Sequence, residues 1–125
     1  MQEQWHLSDR PGPVEADSIA ATVERRVSQG TMPTWLVSSR GRTITLVSNG
    51  SRAMVMLLEH SDGDPGEHAI DPTGVGSSGG FVLENGQVDD YPDRDTVPME
   101  EALRILAHLV AEGVPPSDAS WQVDR

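Results

Sequence analysis

The stretch that decides the fold is TWLVSSRGRTITLVSNGSRAMVMLL, residues 34–58. Thr43 to Val47 alternates polar and apolar residues, which is typical of a β-strand with one buried face. Arg52 to Leu58 is apolar on both faces, which indicates a central strand covered on both sides. Asn49-Gly50 is a strong hairpin signal, because both central residues of a type I′ turn need a positive φ. With Trp35 to Val37 as a first strand, this stretch predicts a three-stranded antiparallel meander.

Two segments predict helices on either side of these strands. Residues 14–29 carry apolar residues at helical spacing, although Asp17 and Ser18 also suit a later helix start. Residues 98–112 carry the same spacing, with two glutamates in the first turn, where the helix dipole favours negative charge. Gly113 then ends the second helix.

Beyond the meander, the chain predicts one further hairpin and a long loop. Asn85-Gly86 predicts a turn between strands at 81–84 and 87–91. Residues 60–80 are rich in Gly, Asp, Pro and Ser and predict a loop that is either functional or disordered. The predicted fold class is therefore α+β: an antiparallel sheet of about five or six strands, built from the meander and hairpins, packed with an N-terminal and a C-terminal helix.

The size of the chain bounds its organisation. Its 125 residues are the length of one ordinary domain. Residues 1–13 are polar and turn-forming, which predicts a flexible leader before a single domain at 14–125. Cysteine is absent, which excludes disulfides and thiolate metal sites. No apolar run approaches the ~20 residues of a membrane span. The first residues also lack the apolar segment of a signal peptide, so we expect a cytoplasmic protein.

Acidic residues are concentrated in the middle of the chain. The net charge is −11, and residues 59–101 hold twelve acids against Arg94 alone. Such a segment repels nucleic acid and anionic membranes and attracts basic partners, although an acidic surface that only aids solubility is the alternative. The predicted partner-binding residues are Glu59, Asp62, Asp64 and Glu67 on the long loop, and Glu84, Asp89, Asp90, Tyr91, Asp93 and Asp95 on the second hairpin.

Motifs that could carry catalysis or bind a cofactor lack their structural context. G-x-G-x-x-G at 74–79 precedes a strand, whereas nucleotide binding needs a strand before it and a helix after it. G-x-S-x-G at 76–80 lacks the strand-to-helix turn of a nucleophile elbow. His60 and His68 lack the short spacing of zinc motifs. We therefore predict no catalytic residue, no metal and no cofactor, and a protein that is not an enzyme.

A series of short elements in the C-terminal segment carries a family resemblance. The elements are Tyr91-Pro92, Val97-Pro98, Ala102-Leu103, Gly113, Pro116 and Trp121. Their order resembles that of the Imm1 family of immunity proteins from bacterial polymorphic toxin systems. The resemblance implies a non-enzymatic cytoplasmic antitoxin that binds the catalytic domain of a toxin, such as a nucleic-acid deaminase or nuclease. It implies no particular contact residue, because such contacts vary with the toxin.

Charge and resemblance together predict an antitoxin that occludes the basic active-site groove of its toxin with an acidic surface. The expected partner is the C-terminal domain of a cognate toxin, without nucleic acid or membrane, and the expected state is a monomer or a weak homodimer. Two alternatives stay open. A small acidic secretion chaperone or adaptor would bind a secreted partner without inhibiting it. A small enzyme would need an ordered segment at 60–80, with His60 and His68 converging on a pocket.

Overall fold

Antiparallel strands carry most of the fold in the computed structural model, which describes residues 3–60, 63–83 and 85–125. The elements in chain order are β1 (Trp5–Leu7), α1 (Ile19–Ser28), β2 (Pro33–Ser38), β3 (Thr43–Ser48), β4 (Arg52–Leu58), β5 (Glu67–Ala69), β6 (Ser77–Val82), β7 (Val88–Pro92), a 3-10 turn (Asp93–Asp95), β8 (Val97–Pro98), α2 (Met99–Glu112) and β9 (Trp121–Val123).

The main sheet has seven strands in the order β1-β2-β3-β4-β5-β9, with β8 also pairing with β4. The strands β6 and β7 form a separate two-stranded hairpin. Every pairing between these strands is antiparallel. The predicted α+β class, with an antiparallel sheet and two helices, is confirmed.

The hydrophobic core lies between one face of the main sheet and the two helices. Alternate residues of β2 and β4 are buried, as expected for strands whose side chains point to opposite faces. Facing them, α1 contributes Ile19 and Val23, and α2 contributes a wider apolar stripe that includes Ile105, Leu106 and Leu109. This packing fixes the position of β4 within the sheet.

The central position of β4 is confirmed, because β3 and β5 pair with it on either side. Its second face is less deeply covered than its core face. There Met54, Met56 and Leu58 are half-buried. Elsewhere on this side of the molecule Val47 and Phe81 are buried outside the main core cluster, and β6 packs against β3. The β6–β7 hairpin therefore lies across the second face of the sheet.

Both Asn-Gly hairpins are present, but neither has the predicted type I′ turn. No residue other than glycine has a positive φ in the described chain, so both asparagines lack the backbone that this turn needs. Asn49 pairs with Arg52 across the first turn (N–H to carbonyl, 3.0 Å), which makes Gly50 a central residue with φ +97°. In the second turn Gly86 has φ +85° and donates to the Leu83 carbonyl (2.9 Å), as in a three-residue loop closed by a left-handed glycine.

Three boundaries differ from the sequence predictions. Residues 3–13 belong to the fold rather than to a flexible leader, because β1 pairs with β2 and Trp5 is 1% exposed. The first helix takes the later of its two predicted starts, with Ser18 as N-cap. The segment 60–80 is not a single loop, since it contains β5 and the beginning of β6. The strand β5 also pairs with β9, which lies far away in sequence, and a local pattern does not reveal such a pairing.

Residues that carry the family resemblance have structural positions. Val97 and Ala102 are buried in the core. Gly113 ends α2 with a left-handed backbone, and its N–H donates to the Leu109 carbonyl (2.8 Å). Trp121 lies in β9 beside β5. These four residues contribute to the core, to the end of α2 and to the pairing of β9.

Candidate partner-binding surface

The predicted partner-binding residues fall in two regions of the structure. Asp62 and Glu84 lie outside the described residues. Glu59, Asp64 and Glu67 surround the connection from β4 to β5. The others follow one another along the chain: Asp89, Asp90 and Tyr91 are on β7, and Asp93 and Asp95 are in the 3-10 turn that follows it.

Asp64 is an internal anchor of the β4–β5 connection. Its carboxylate forms an ion pair with Arg125 (Nε to Oδ1, 3.0 Å). It also accepts the backbone N–H groups of Glu59 (2.8 Å) and Gly66 (2.9 Å). These contacts, the Arg125 guanidinium above all, hold the pKa of Asp64 well below its usual range. With a side chain only 3% exposed, Asp64 shapes the loop and offers little surface to a partner.

Glu67 and Glu59 are also held by residues of the fold. Glu67 accepts the indole N–H of Trp121 (2.8 Å) and pairs with Arg125. Glu59 is half-exposed and pairs with Arg42 (3.2 Å). Glu67 therefore links β5 to the C-terminal segment, and Glu59 links the end of β4 to the β2–β3 turn.

Arg42 is the centre of the second of these networks. Its guanidinium pairs with Glu3 and donates to the Gly113 carbonyl (2.9 Å) at the end of α2. It also lies 5.5 Å from the ring centroid of Trp5, within the range of a cation–π contact. The hydrogen bond from Arg42 holds the pKa of Glu3 below its ordinary value. Arg42 thus joins the N-terminal strand, the sheet and α2.

Asp93 belongs to a third network, centred on Arg52. The Arg52 guanidinium donates to the Asp71 carboxylate (2.8 Å) and to the Asp93 backbone carbonyl (3.0 Å). The Asp93 side chain accepts the hydroxyl of Ser78. Hydrogen bonds from Thr73 and then from Arg52 lower the pKa of Asp71. This network attaches the root of the β6–β7 hairpin to the start of β4.

Asp95 contacts His68, which lies between two carboxylates. Its Nε2 is 3.1 Å from Asp95 and its Nδ1 is 2.7 Å from Asp124. The pKa of Asp124 is lowered, chiefly by a hydrogen bond from Gln122 and then by His68. The contacts bring the turn after β7 next to β5 and the C-terminal strand.

Many of the acids in residues 59–101 therefore pair with basic side chains of the protein. Arg42, Arg52 and Arg125 all come from outside residues 59–101. These pairings are not visible in the distribution of charge along the chain, because an ion pair between positions 64 and 125 leaves no local pattern. The acidic middle third is consequently less available to a partner than its sequence indicates.

The strand β7 keeps acids that lack such a pairing. Asp89 is half-exposed and accepts the side-chain amide of Gln87 (2.7 Å), and Asp90 is exposed. Neither makes an ion pair within the described residues. Tyr91 is half-buried against Phe81, with ring centroids 4.9 Å apart, and burial raises the pKa of its phenol. We call Val88, Asp89, Asp90 and Tyr91 the β7 surface.

The two histidines of the alternative enzyme hypothesis do not share a pocket. His60 is exposed and lines an open polar cleft of about 690 Å³ together with Arg42 and Glu112. His68 is held between its two carboxylates and does not line that cleft. Among residues 3–60, 63–83 and 85–125, no group of three or more His, Asp or Glu side chains is arranged to hold a metal ion.

No protein-family model matches the chain, and no curated protein matches it significantly. Within the described residues, no helix has the length and apolar character needed to cross a membrane. The resemblance to immunity proteins thus rests on the short elements of the sequence.

Proposed function

We propose that this protein is an immunity protein, an antitoxin that binds the catalytic domain of a cognate toxin and blocks its active-site groove with the β7 surface. The observation that carries the proposal is the contrast between the acids. Asp64 and Asp93 are held within the fold, whereas Asp89 and Asp90 stay without an ion pair in the part of the chain that the structure describes. Two adjacent acids kept without compensation are suited to the basic side chains of a partner.

The chemistry of the expected partner fits this surface. A toxin that acts on nucleic acid needs a positive groove for phosphate groups. Carboxylates can occupy such a groove and accelerate association by electrostatic steering. Tyr91 adds an aromatic side chain, of the kind that often slows dissociation at interfaces. A cytoplasmic location, where a toxin would reach its substrate, belongs to the same proposal.

The other acids have a supporting part in this account. Glu67 and Asp95 help to fix the loop and the turn next to the hairpin through Trp121 and His68. Their replacement would affect the surface through its scaffold. Glu59, at the distal end of β4, is held by Arg42 and contributes to a different edge of the molecule.

Co-expression with the neighbouring gene tests the proposal. The toxin domain encoded next to this protein would be produced in a bacterial host with and without the protein, and surviving cells would be counted. We expect survival to be restored by the protein. If the neighbouring gene encodes no toxin domain, or if the protein binds that domain while toxicity stays unchanged, the immunity function is wrong. The second outcome would favour the adaptor alternative.

A further inference from the structure

The strand β7 presents an open backbone edge. Among the strands of the described residues, it pairs with β6 on one side only. Its five residues make it longer than β1 and β9, the three-residue strands at the two ends of the main sheet. The edge of β1 is also partly covered, because the Val14 N–H donates to the Trp5 carbonyl (2.8 Å). An open edge of this length is a template for a strand from another chain.

Hydrogen bonds at the two ends of the hairpin fix the direction of the backbone groups of β7. The Leu83 N–H donates to the Gln87 carbonyl (2.8 Å). The Asp93 N–H donates to the Gly76 carbonyl (3.0 Å). The backbone groups of residues 87 and 93 therefore both point towards β6. Because the backbone groups of an antiparallel strand alternate in direction, residues 89 and 91 do the same, and residues 88, 90 and 92 point to the open edge.

The sequence of β7 agrees with this alternation. Pro92 has no N–H, and proline is tolerated in a strand where that position faces an open edge. Val88 and Asp90 each retain an N–H and a carbonyl directed outwards. The irregularity in the pairing lies between Ser78 and Phe81 of β6, so the alternation along β7 is unbroken. The edge can accordingly form backbone hydrogen bonds with an added strand at Val88 and Asp90.

The side chains of the β7 surface restrict which strand can be added. Val88 is 61% exposed, and the four residues read apolar, acidic, acidic, apolar. Cross-strand neighbours of opposite charge stabilise a pair of strands, and like charges destabilise it. A second copy of β7, paired antiparallel through the same edge, would place Asp89 opposite Asp89 or Asp90 opposite Asp90. A strand that reads apolar, basic, basic, apolar complements the surface in either orientation.

We propose that β7 binds its partner by β-strand addition, taking up a segment with two adjacent Arg or Lys residues between apolar ones. The backbone of Val88 and Asp90 holds the added strand, and the side chains of Asp89 and Asp90 select its charge. The identification of the partner as a toxin rests on the proposed function, but the mode of binding does not.

A short peptide tests the edge directly. The probe is acetyl-Thr-Val-Arg-Arg-Val-Thr-amide, and its control is the shuffled acetyl-Arg-Val-Thr-Thr-Val-Arg-amide of equal charge. Binding would be followed by the NMR shifts of the protein's backbone amides. We expect the probe to bind about tenfold more tightly than the control, with the largest shifts at Val88 and Asp90. Equal affinity for both peptides, or shifts spread evenly over the acidic residues, would overturn the proposal in favour of unspecific charge attraction.

Two variants at position 90 distinguish the contribution of the backbone N–H from that of the side-chain carboxylate. Asp90→Ala removes the carboxylate and keeps the edge N–H, whereas Asp90→Pro removes both. We expect Asp90→Pro to bind the probe about tenfold more weakly than Asp90→Ala. Equal binding by the two variants would contradict strand addition. Protection of the Leu83 amide from hydrogen exchange reports whether the hairpin is intact, and Val88→Pro against Val88→Ala repeats the comparison at the second edge N–H.

The outcomes for edge and function are independent. A protein that rescues cells from its toxin but does not distinguish the two peptides keeps the immunity function and loses the strand-addition mode. A protein that binds the probe at Val88 and Asp90 but gives no protection keeps the mode and loses the function.

Discussion

Arg125 holds Asp64 across the C-terminal edge of the sheet, with its Nε 3.0 Å from the carboxylate Oδ1. The same guanidinium also reaches Glu67. The pair joins the β4–β5 connection to the segment that follows β9. Asp64 and Glu67, which were predicted from the sequence to bind a partner, therefore form ion pairs within the protein.

Arg125→Ala should destabilise the protein more than Arg104→Ala. Arg104 pairs with Glu101 and Asp118 on the exposed side of α2, where ion pairs contribute little. Loss of Arg125 instead leaves the nearly buried carboxylate of Asp64 without its cation. Urea denaturation of both variants measures the difference. Equal midpoints would show that Asp64 does not depend on this ion pair.

The sequence predicted the parts of the fold that depend on local pattern. The meander of β2 to β4 follows from alternation in Thr43 to Val47 and from the apolar run after Arg52, and the second helix follows from its stripe and Gly113. What was missed depends on distant partners. The strand β1 is held by pairing with β2, and β5 by pairing with β4 and β9. For the same reason, the sequence does not distinguish the acids that pair with arginine from those that lack an ion pair.

Stability should fall when the pH is lowered through the titration range of the held carboxylates. The pKa values of Glu3, Asp64 and Asp124 are all lowered in the folded protein. Their stabilisation is thus fully present above their unfolded-state pKa values, near pH 4, and is lost as the pH falls towards the folded values, because the unfolded state binds more protons there. Urea denaturation at pH 7, 5, 4 and 3 measures this slope.

Asp64→Asn supplies the control for the pH dependence. The variant should be less stable than the original protein at pH 7, and the difference should shrink at pH 3. A constant difference across this range, or a parent protein whose stability does not fall below about pH 4, would mean that Asp64 is not held as its contacts indicate.

Trp5→Ala should cost about 3–5 kcal/mol of unfolding free energy, because a large aromatic side chain leaves the core. The neighbouring His6→Ala, at an exposed position of the same strand, should change the stability by less than about 0.5 kcal/mol. Chemical denaturation of the two variants compares them. If the Trp5→Ala and His6→Ala proteins were equally stable, the result would support the prediction of a flexible leader at residues 1–13.

Gly86→Ala should loosen the β6–β7 hairpin without affecting the main sheet. The left-handed backbone of Gly86 (φ +85°) costs alanine about 1 kcal/mol, which corresponds to about fivefold faster hydrogen exchange at the Leu83 amide. The Ser38 amide, which donates to the Arg42 carbonyl in the β2–β3 turn, serves as the internal control. Exchange that rises equally at both amides would show that the hairpin does not open on its own.

The central claim, that the β7 surface inhibits a toxin, is tested most directly by the affinity of a charge-reversed protein for its toxin domain. Asp89→Lys with Asp90→Lys would be compared with Glu24→Lys with Glu112→Lys, a pair of exposed acids on the two helices that gives the same change in net charge. We expect the first protein to bind at least about tenfold more weakly in low salt and the second to bind almost normally. Equal affinities of the two proteins, with protection retained by both, would contradict the account.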